Sequence, residues 1–152
     1  MREGWLVLGF LALTACGGGE PAPAAAAQPG GASASLSEFE LEHGIGPVTE
    51  PLALGAVDHQ MAEAGEEVFE QKCAACHKMK EKYVGPALGD VTSRRSPAFI
   101  MNMILNPQGM IERHPVVKQL VAEHMTFMPN QGLSRDEARQ VVEYLREERN
   151  EH

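Results

Sequence analysis

The stretch Cys73-Ala74-Ala75-Cys76-His77 reads C-x-x-C-H, and it narrows the possible architectures of this chain more than any other segment. That spacing is the attachment signature of a c-type haem. On a helical turn it brings both sulfurs under one porphyrin edge, where each forms a thioether with a former vinyl group. His77 is then placed to ligate the iron from below. A zinc site built on the same cysteine pair would need two further ligands at metal spacing, and no second C-x-x-C is present. A thioredoxin-like redox pair would need a strand–helix–strand alternation around the motif, which the sequence lacks. One covalent haem c is therefore the expected cofactor.

The remaining cysteine is Cys16, at the end of Leu13-Thr14-Ala15-Cys16. It follows a basic start at Arg2 and the apolar run Trp5 to Ala15, which is too short to span a bilayer and has the size of a signal-peptide core. Small residues at the cleavage point followed by cysteine resemble a bacterial lipobox. That resemblance implies a signal peptide over residues 1–15, cleavage before Cys16 and lipidation of Cys16; an ordinary secretory signal with an incidental Cys16 is the alternative. Either implies export, the side of the membrane on which c-type haem is attached. Gly17 to Ser35 is built almost wholly from Gly, Ala, Pro and Ser and cannot bury a core. Residues 16–37 are expected to be a lipid-anchored linker; counting on to about residue 40, about 25 residues have an r.m.s. reach of roughly 25–30 Å. Residues 38–57 form an acidic extension, and residues 58–152 the globular domain.

The formal charge is −8, which argues against nucleic acid as a partner because phosphate binding needs a clustered basic surface. The charge is uneven. Lys72, Lys78, Lys80, Lys82, Arg94 and Arg95 lie near the haem motif, whereas acids concentrate in the extension and the final helix. A basic collar round an exposed haem edge would steer an acidic redox partner. With Glu70 and Glu81 interleaved, the alternative is a set of ordinary solvated side chains.

No segment alternates at period two for long enough to make a sheet, so the fold class is all-α. Helical pattern spans about Asp58 to His77, with Ala62, Gly65, Phe69 and Cys76 near one face. Gly65 costs helix stability, so its use implies close approach by another backbone. A second helix starts at Ser96-Pro97, carries Phe99, Ile100, Met103 and Ile104 as its stripe, and stops at Asn106-Pro107. A third starts near Pro115, with Val116, Val117, Leu120 and Val121 inward. The last opens on a Ser134/Glu137 capping box and repeats Ala138, Val141, Val142 and Leu145 at helical spacing. A core of this size is marginal alone, and a covalent haem supplies the missing apolar mass.

On these residues the globular part resembles a class I, mono-haem cytochrome c. The resemblance implies four to five helices round one haem, with the first and last crossed. Gly65 and Phe69 match the first-helix positions and Tyr144 the aromatic of the last helix. Gly85-Pro86-Ala87-Leu88 is similar to the family's G-P-x-L, which implies that the Pro86 carbonyl accepts the second N–H of His77. Met128-Pro129 before the capped last helix resembles the distal methionine loop, so Met128 is the expected sixth ligand and Met125 the alternative. Among His43, His59, His114, His124 and His152, His124 is the rival nearest that loop.

A His77/Met128 pair fills both axial positions and raises the reduction potential relative to bis-histidine ligation. The implied function is one-electron transfer and not enzyme catalysis, with no small-molecule substrate. A di-haem peroxidase would need a second C-x-x-C-H, and a cytochrome c′-type sensor would carry its motif near the carboxyl end. The expected protein is a periplasmic, membrane-tethered carrier from a quinol-oxidising complex to a terminal reductase or oxidase. Glu38 to Val48, Tyr83 to Val91 and Met125 to Gln131 look like small cytochromes associated with nitrous oxide reductase, which implies that reductase as acceptor. A haem–copper oxidase is the alternative acceptor, and a fixed subunit docked by the acidic extension is the remaining alternative.

Overall fold

Seven helices make up the regular structure of residues 35–150, the part of the chain that the structure, a computed structural model, describes. The signal-peptide and Cys16 expectations lie outside the described residues. In chain order the helices are α1 (Glu38–His43), α2 (His59–Lys72), α3 (Val91–Arg94), α4 (Pro97–Leu105), α5 (Pro107–Arg113), α6 (Pro115–His124) and α7 (Arg135–Asn150). The described residues contain no strand, as an all-α chain requires. The helices expected from periodicity are α2, α4, α6 and α7. The count of four to five is exceeded because α1, α3 and α5 span only 6, 4 and 7 residues, too few turns to display a 3.6-residue repeat. The first expected helix is also shorter than its pattern: α2 ends at Lys72, and residues 73–76 continue as a turn.

Helix ends follow local chemistry. Asp58 caps α2 by accepting the Met61 N–H at 3.0 Å. Ser96 caps α4 by accepting the Phe99 N–H at 3.1 Å. The Ser134/Glu137 pair caps α7 reciprocally, with bonds of 2.7 and 3.2 Å. Prolines 97, 107 and 115 each open a helix, where the missing N–H is no loss and φ is already helical. Asn106 ends α4 and caps α5, accepting the Gly109 N–H at 3.3 Å. The chain thus stops at Asn106-Pro107 as its sequence suggests, then restarts at once in a new direction.

Helix α2 packs against α7 more extensively than any other pair of helices. Gly65 lies at the crossing, fully enough enclosed that a Cβ there would collide with the carbonyl oxygen of Gln140. Phe69 and Tyr144 stack beside it with ring centroids 5.2 Å apart and planes tilted by 52°. The core on this side includes Phe69, Cys73, Ile100, Val141, Val142 and Leu145. Glu143, 1% exposed, is held by Arg139 and by Arg146 at 2.6 Å, and Arg146 also donates to the Gly55 carbonyl at 2.6 Å. Such a buried carboxylate is tolerable because both cations and the Asp58 N–H at 3.4 Å face it.

The acidic extension packs on α4 and α5. Asn102, fully buried, donates Nδ2 to the carbonyls of His43 (3.0 Å) and Val48 (2.9 Å) and accepts the Val48 N–H at 2.9 Å. Asn106 donates to the Ile45 carbonyl at 3.0 Å, and the Met110 sulfur accepts the Ile45 N–H at 3.0 Å. Val48 joins the principal core, and Ile45 packs with Phe99, Met110 and Val117 in a second cluster.

Gly65→Ala is expected to lower stability by about 1–3 kcal/mol, because the obstructing atom is backbone and cannot swing aside; denaturant unfolding at an unchanged slope would show it. Asn102→Ala is expected to cost about 1–3 kcal/mol through the backbone groups left unpaired. Hydrogen exchange should then show lost protection at the Val48 amide, while the amides of α7 keep theirs.

Candidate haem site

The C-terminal end of α2 carries the motif into the interior. Cys73 caps the helix with its N–H bonded to the Phe69 carbonyl at 2.8 Å. The N–H groups of Cys76 and His77 both return to the Cys73 carbonyl, at 3.0 and 2.9 Å. Two thiols and one imidazole are therefore presented within a single turn. Cys73 is buried and Cys76 half-buried, and both are free thiols. Burial, reinforced by the neighbouring Cys76, pushes the Cys73 thiol up to about 11. A disulfide-exchanging C-x-x-C pair needs the opposite shift, toward thiolate at neutral pH, so the microenvironment does not suit redox-pair chemistry.

His77 has its ring fixed by the loop that follows. Its Nδ1 lies 3.0 Å from the Pro86 carbonyl, which accepts and so places the proton on Nδ1. Nε2 is left as the ring nitrogen with a free lone pair. Burial holds the His77 pKa below the ordinary histidine value, with the Pro86 bond opposing and the charge of His124 assisting that shift. The neutral ring is the form that ligates a metal. The loop itself is folded back by bonds from Gly85 N–H to the Cys76 carbonyl (2.9 Å) and from Leu88 N–H to the Lys78 carbonyl (3.0 Å). Gly85 lies flat against the imidazole: a Cβ there would sit 2.5 Å from Cε1 and 2.8 Å from Nδ1 of His77.

These groups open on one cavity. Its walls come from Phe99, Ile100 and Ile104 of α4, from Val117, Leu120 and Val121 of α6, and from Val141 and Leu145 of α7. Met128 lines it from the loop before α7 and packs against the principal core. Met125 does not line it; at the end of α6 it adopts φ 54° and is 88% exposed. Met103 is a wall residue that the sequence assigned only to a helix stripe. His124 also lines the cavity, with a side chain 5% exposed. His43 and His114 instead support the extension, bonding Ser96 Oγ at 2.8 Å and the Leu41 carbonyl at 3.2 Å. His59 pairs with Glu147 at the surface, and His152 lies outside the described residues.

The basic residues divide. Lys72, Arg94 and Arg95 line the cavity. Lys78 rests over the Tyr83 ring, 5.4 Å from its centroid, and Lys82 donates to the Glu123 carbonyl at 3.3 Å. Tyr83, Val84, Met125 and Phe127 are exposed apolar side chains, of which Val84 and Phe127 also line the cavity. No group of three or more His, Cys, Asp or Glu able to hold a metal exists among the described residues, so no metal site made of such side chains alone is formed there.

A haem fits this donor set. Two thiols and a neutral imidazole share one turn, a thioether lies in the wall of the same apolar cavity, and the glycine against the imidazole leaves no room for a side chain that would tilt the ring.

Residues 62–148 match the family model described as Cytochrome c. The chain is similar to cytochrome c2 of Rhodopseudomonas palustris, 47% identical over 45 residues that cover 30% of this chain and 32% of that protein. It is similar to cytochrome c-551 of Stutzerimonas stutzeri, 45% identical over 49 residues covering 30% and 47% of the two chains. The matched region thus spans from about a third to about half the length of these curated relatives. Among solved structures, a cytochrome c from Rhodothermus marinus superposes with a TM-score of 0.72 at 47% identity, covering 76% of this chain and 100% of that one.

Gly85→Ala is expected to push the imidazole off the Pro86 carbonyl and to lower stability by about 1–3 kcal/mol. The measurements are the unfolding midpoint and the chemical shifts of the His77 ring nitrogens, which report the loss of the fixed tautomer.

Proposed function

The chain belongs to the cytochrome c family, whose members carry one covalent haem c and transfer electrons, and from that premise we propose that it is a periplasmic one-electron carrier tethered to a bacterial membrane. Cys73 and Cys76 are the covalent attachment points, His77 Nε2 the proximal ligand and Met128 the distal ligand. Bound there, the haem supplies a reversible one-electron couple whose potential His/Met ligation raises relative to bis-histidine ligation. The residues of the chain orient and bury that group: the Pro86 carbonyl holds the imidazole, and the walls of α4, α6 and α7 exclude water. The observation that carries this reading is the His77–Pro86 bond at 3.0 Å, which leaves a neutral nitrogen in the same cavity as the Met128 side chain.

The exposure of Met125 and the position of Met128 in the cavity wall favour Met128 as the distal ligand. Membrane attachment rests on the lipobox-like segment and Cys16. No helix among the described residues is long and apolar enough to cross a membrane. The extension packs on α4 and α5 of its own domain, which favours a mobile carrier over a subunit docked by that segment. The donor is a quinol-oxidising complex. The acceptor is a terminal reductase, with nitrous oxide reductase the choice that the motif resemblance favours and a haem–copper oxidase the alternative.

Oxidised protein is expected to show the weak band at the red edge of the visible that marks Met–Fe ligation. Met128→Ala should lose it and Met125→Ala should keep it; the reverse pattern would move the ligand to Met125. Stopped-flow mixing of the reduced protein with purified nitrous oxide reductase and with a haem–copper oxidase separates the acceptors, and reoxidation by neither would remove both.

A further inference from the structure

Four buried side-chain polar atoms among the described residues have no hydrogen-bond partner: Thr92 Oγ1, His114 Nδ1, His124 Nδ1 and Arg139 Nη1. Only His124 belongs to the cavity wall. Its other nitrogen, Nε2, lies 3.9 Å from Glu123 Oε1 at the surface, so the unpartnered nitrogen is Nδ1. A buried donor or acceptor without a partner is costly to keep, and of these four groups His124 is the one at the cavity. The neighbouring backbone leaves regular structure here. His124 is the last residue of α6, Met125 after it is the only described non-glycine residue at positive φ, and residues 126–134 have no regular structure. His124 and Met128 therefore sit four positions apart, at the junction of a helix end and an irregular loop that both border the cavity.

We propose that His124 is a reserve axial ligand, which takes the distal position when the Met128 sulfur withdraws. The inference rests on Met128 being the resting ligand. The exchange would break the sulfur–iron bond and form a nitrogen–iron bond through a ring lone pair of His124. No electron is transferred, and the iron keeps its oxidation state. Nitrogen in place of thioether lowers the potential, so the exchange would switch the carrier from accepting electrons readily to holding them weakly. The site would then stay closed to small ligands even when the methionine is lost.

The test uses the full chain with its haem attached, in four variants: His124→Ala, Met128→Ala, Met128→Leu and Met128→Ala/His124→Ala. Haem content and far-ultraviolet circular dichroism establish folding, and Met128→Leu keeps the side-chain volume should the alanine variant not fold. His124→Ala should retain the Met–Fe band. Either single Met128 variant should lose that band yet remain low-spin, with the electron paramagnetic resonance signature of two nitrogen ligands and a lowered potential. The double variant should become high-spin and bind carbon monoxide rapidly. High-spin single Met128 variants that match the double variant would overturn the reserve role while leaving Met128 as ligand. A double variant that stays low-spin would assign the reserve position to another residue, Met103 being the thioether in the wall. Retention of the Met–Fe band in both single Met128 variants would overturn the Met128 assignment itself.

Discussion

The backbone-to-backbone contact of α2 with α7 at Gly65 governs the remainder of the structure. A side chain at that point would strike the Gln140 carbonyl, so the absence of one lets the two helices close. Their approach brings Phe69 onto Tyr144 and delivers the end of α2 at the edge of the core. Cys73 is buried for that reason and not because of its own residue type. The turn bearing Cys76 and His77 then hangs from a rigid helix, and a displaced crossing would move both thiols and the imidazole together.

A second set of contacts closes the opposite side. Asn102 behaves as a piece of backbone: its amide group exchanges bonds with Val48 as a neighbouring strand would, and it also holds the His43 carbonyl. Residues 43–48 thereby cover α4 without forming any regular element of their own with it. Because α4 also supplies the cavity wall, the extension backs that wall from behind. The acidic extension is in this way partly interior, with Ile45 and Val48 buried and Glu38, Glu42 and Glu50 exposed.

Much of this was legible along the chain. Ser134/Glu137 and Ser96-Pro97 marked helix starts because capping is a matter of three residues and two hydrogen bonds. The same signature, Ser37 with Glu40, opens α1, with bonds of 2.9 and 3.1 Å, but it stands in an acidic run without an apolar stripe to mark a helix. Helix α5 was hidden for a different reason. Asn106-Pro107 reads as a stop, and only the Asn106 side chain turning onto the Gly109 N–H makes it a start as well. Apolar spacing puts Cys76 on a helix face, whereas the helix ends four residues earlier.

The sequence by itself determined the chemistry of the site: C-x-x-C-H within one turn, Gly-Pro shortly after it, and methionines before the last capped helix. Those features depend on bonds spanning a few residues and survive in any fold that keeps them local. It also determined the all-α class through the spacing of apolar residues. Only the tertiary structure decided which side chains share the cavity. Met128 rather than Met125 lines it, and Met103 and His124 join its wall. That outcome depends on where α4, α6 and α7 meet, and residues brought together there, such as His77, Met103 and Met128, lie far apart along the chain, beyond the reach of any local periodicity.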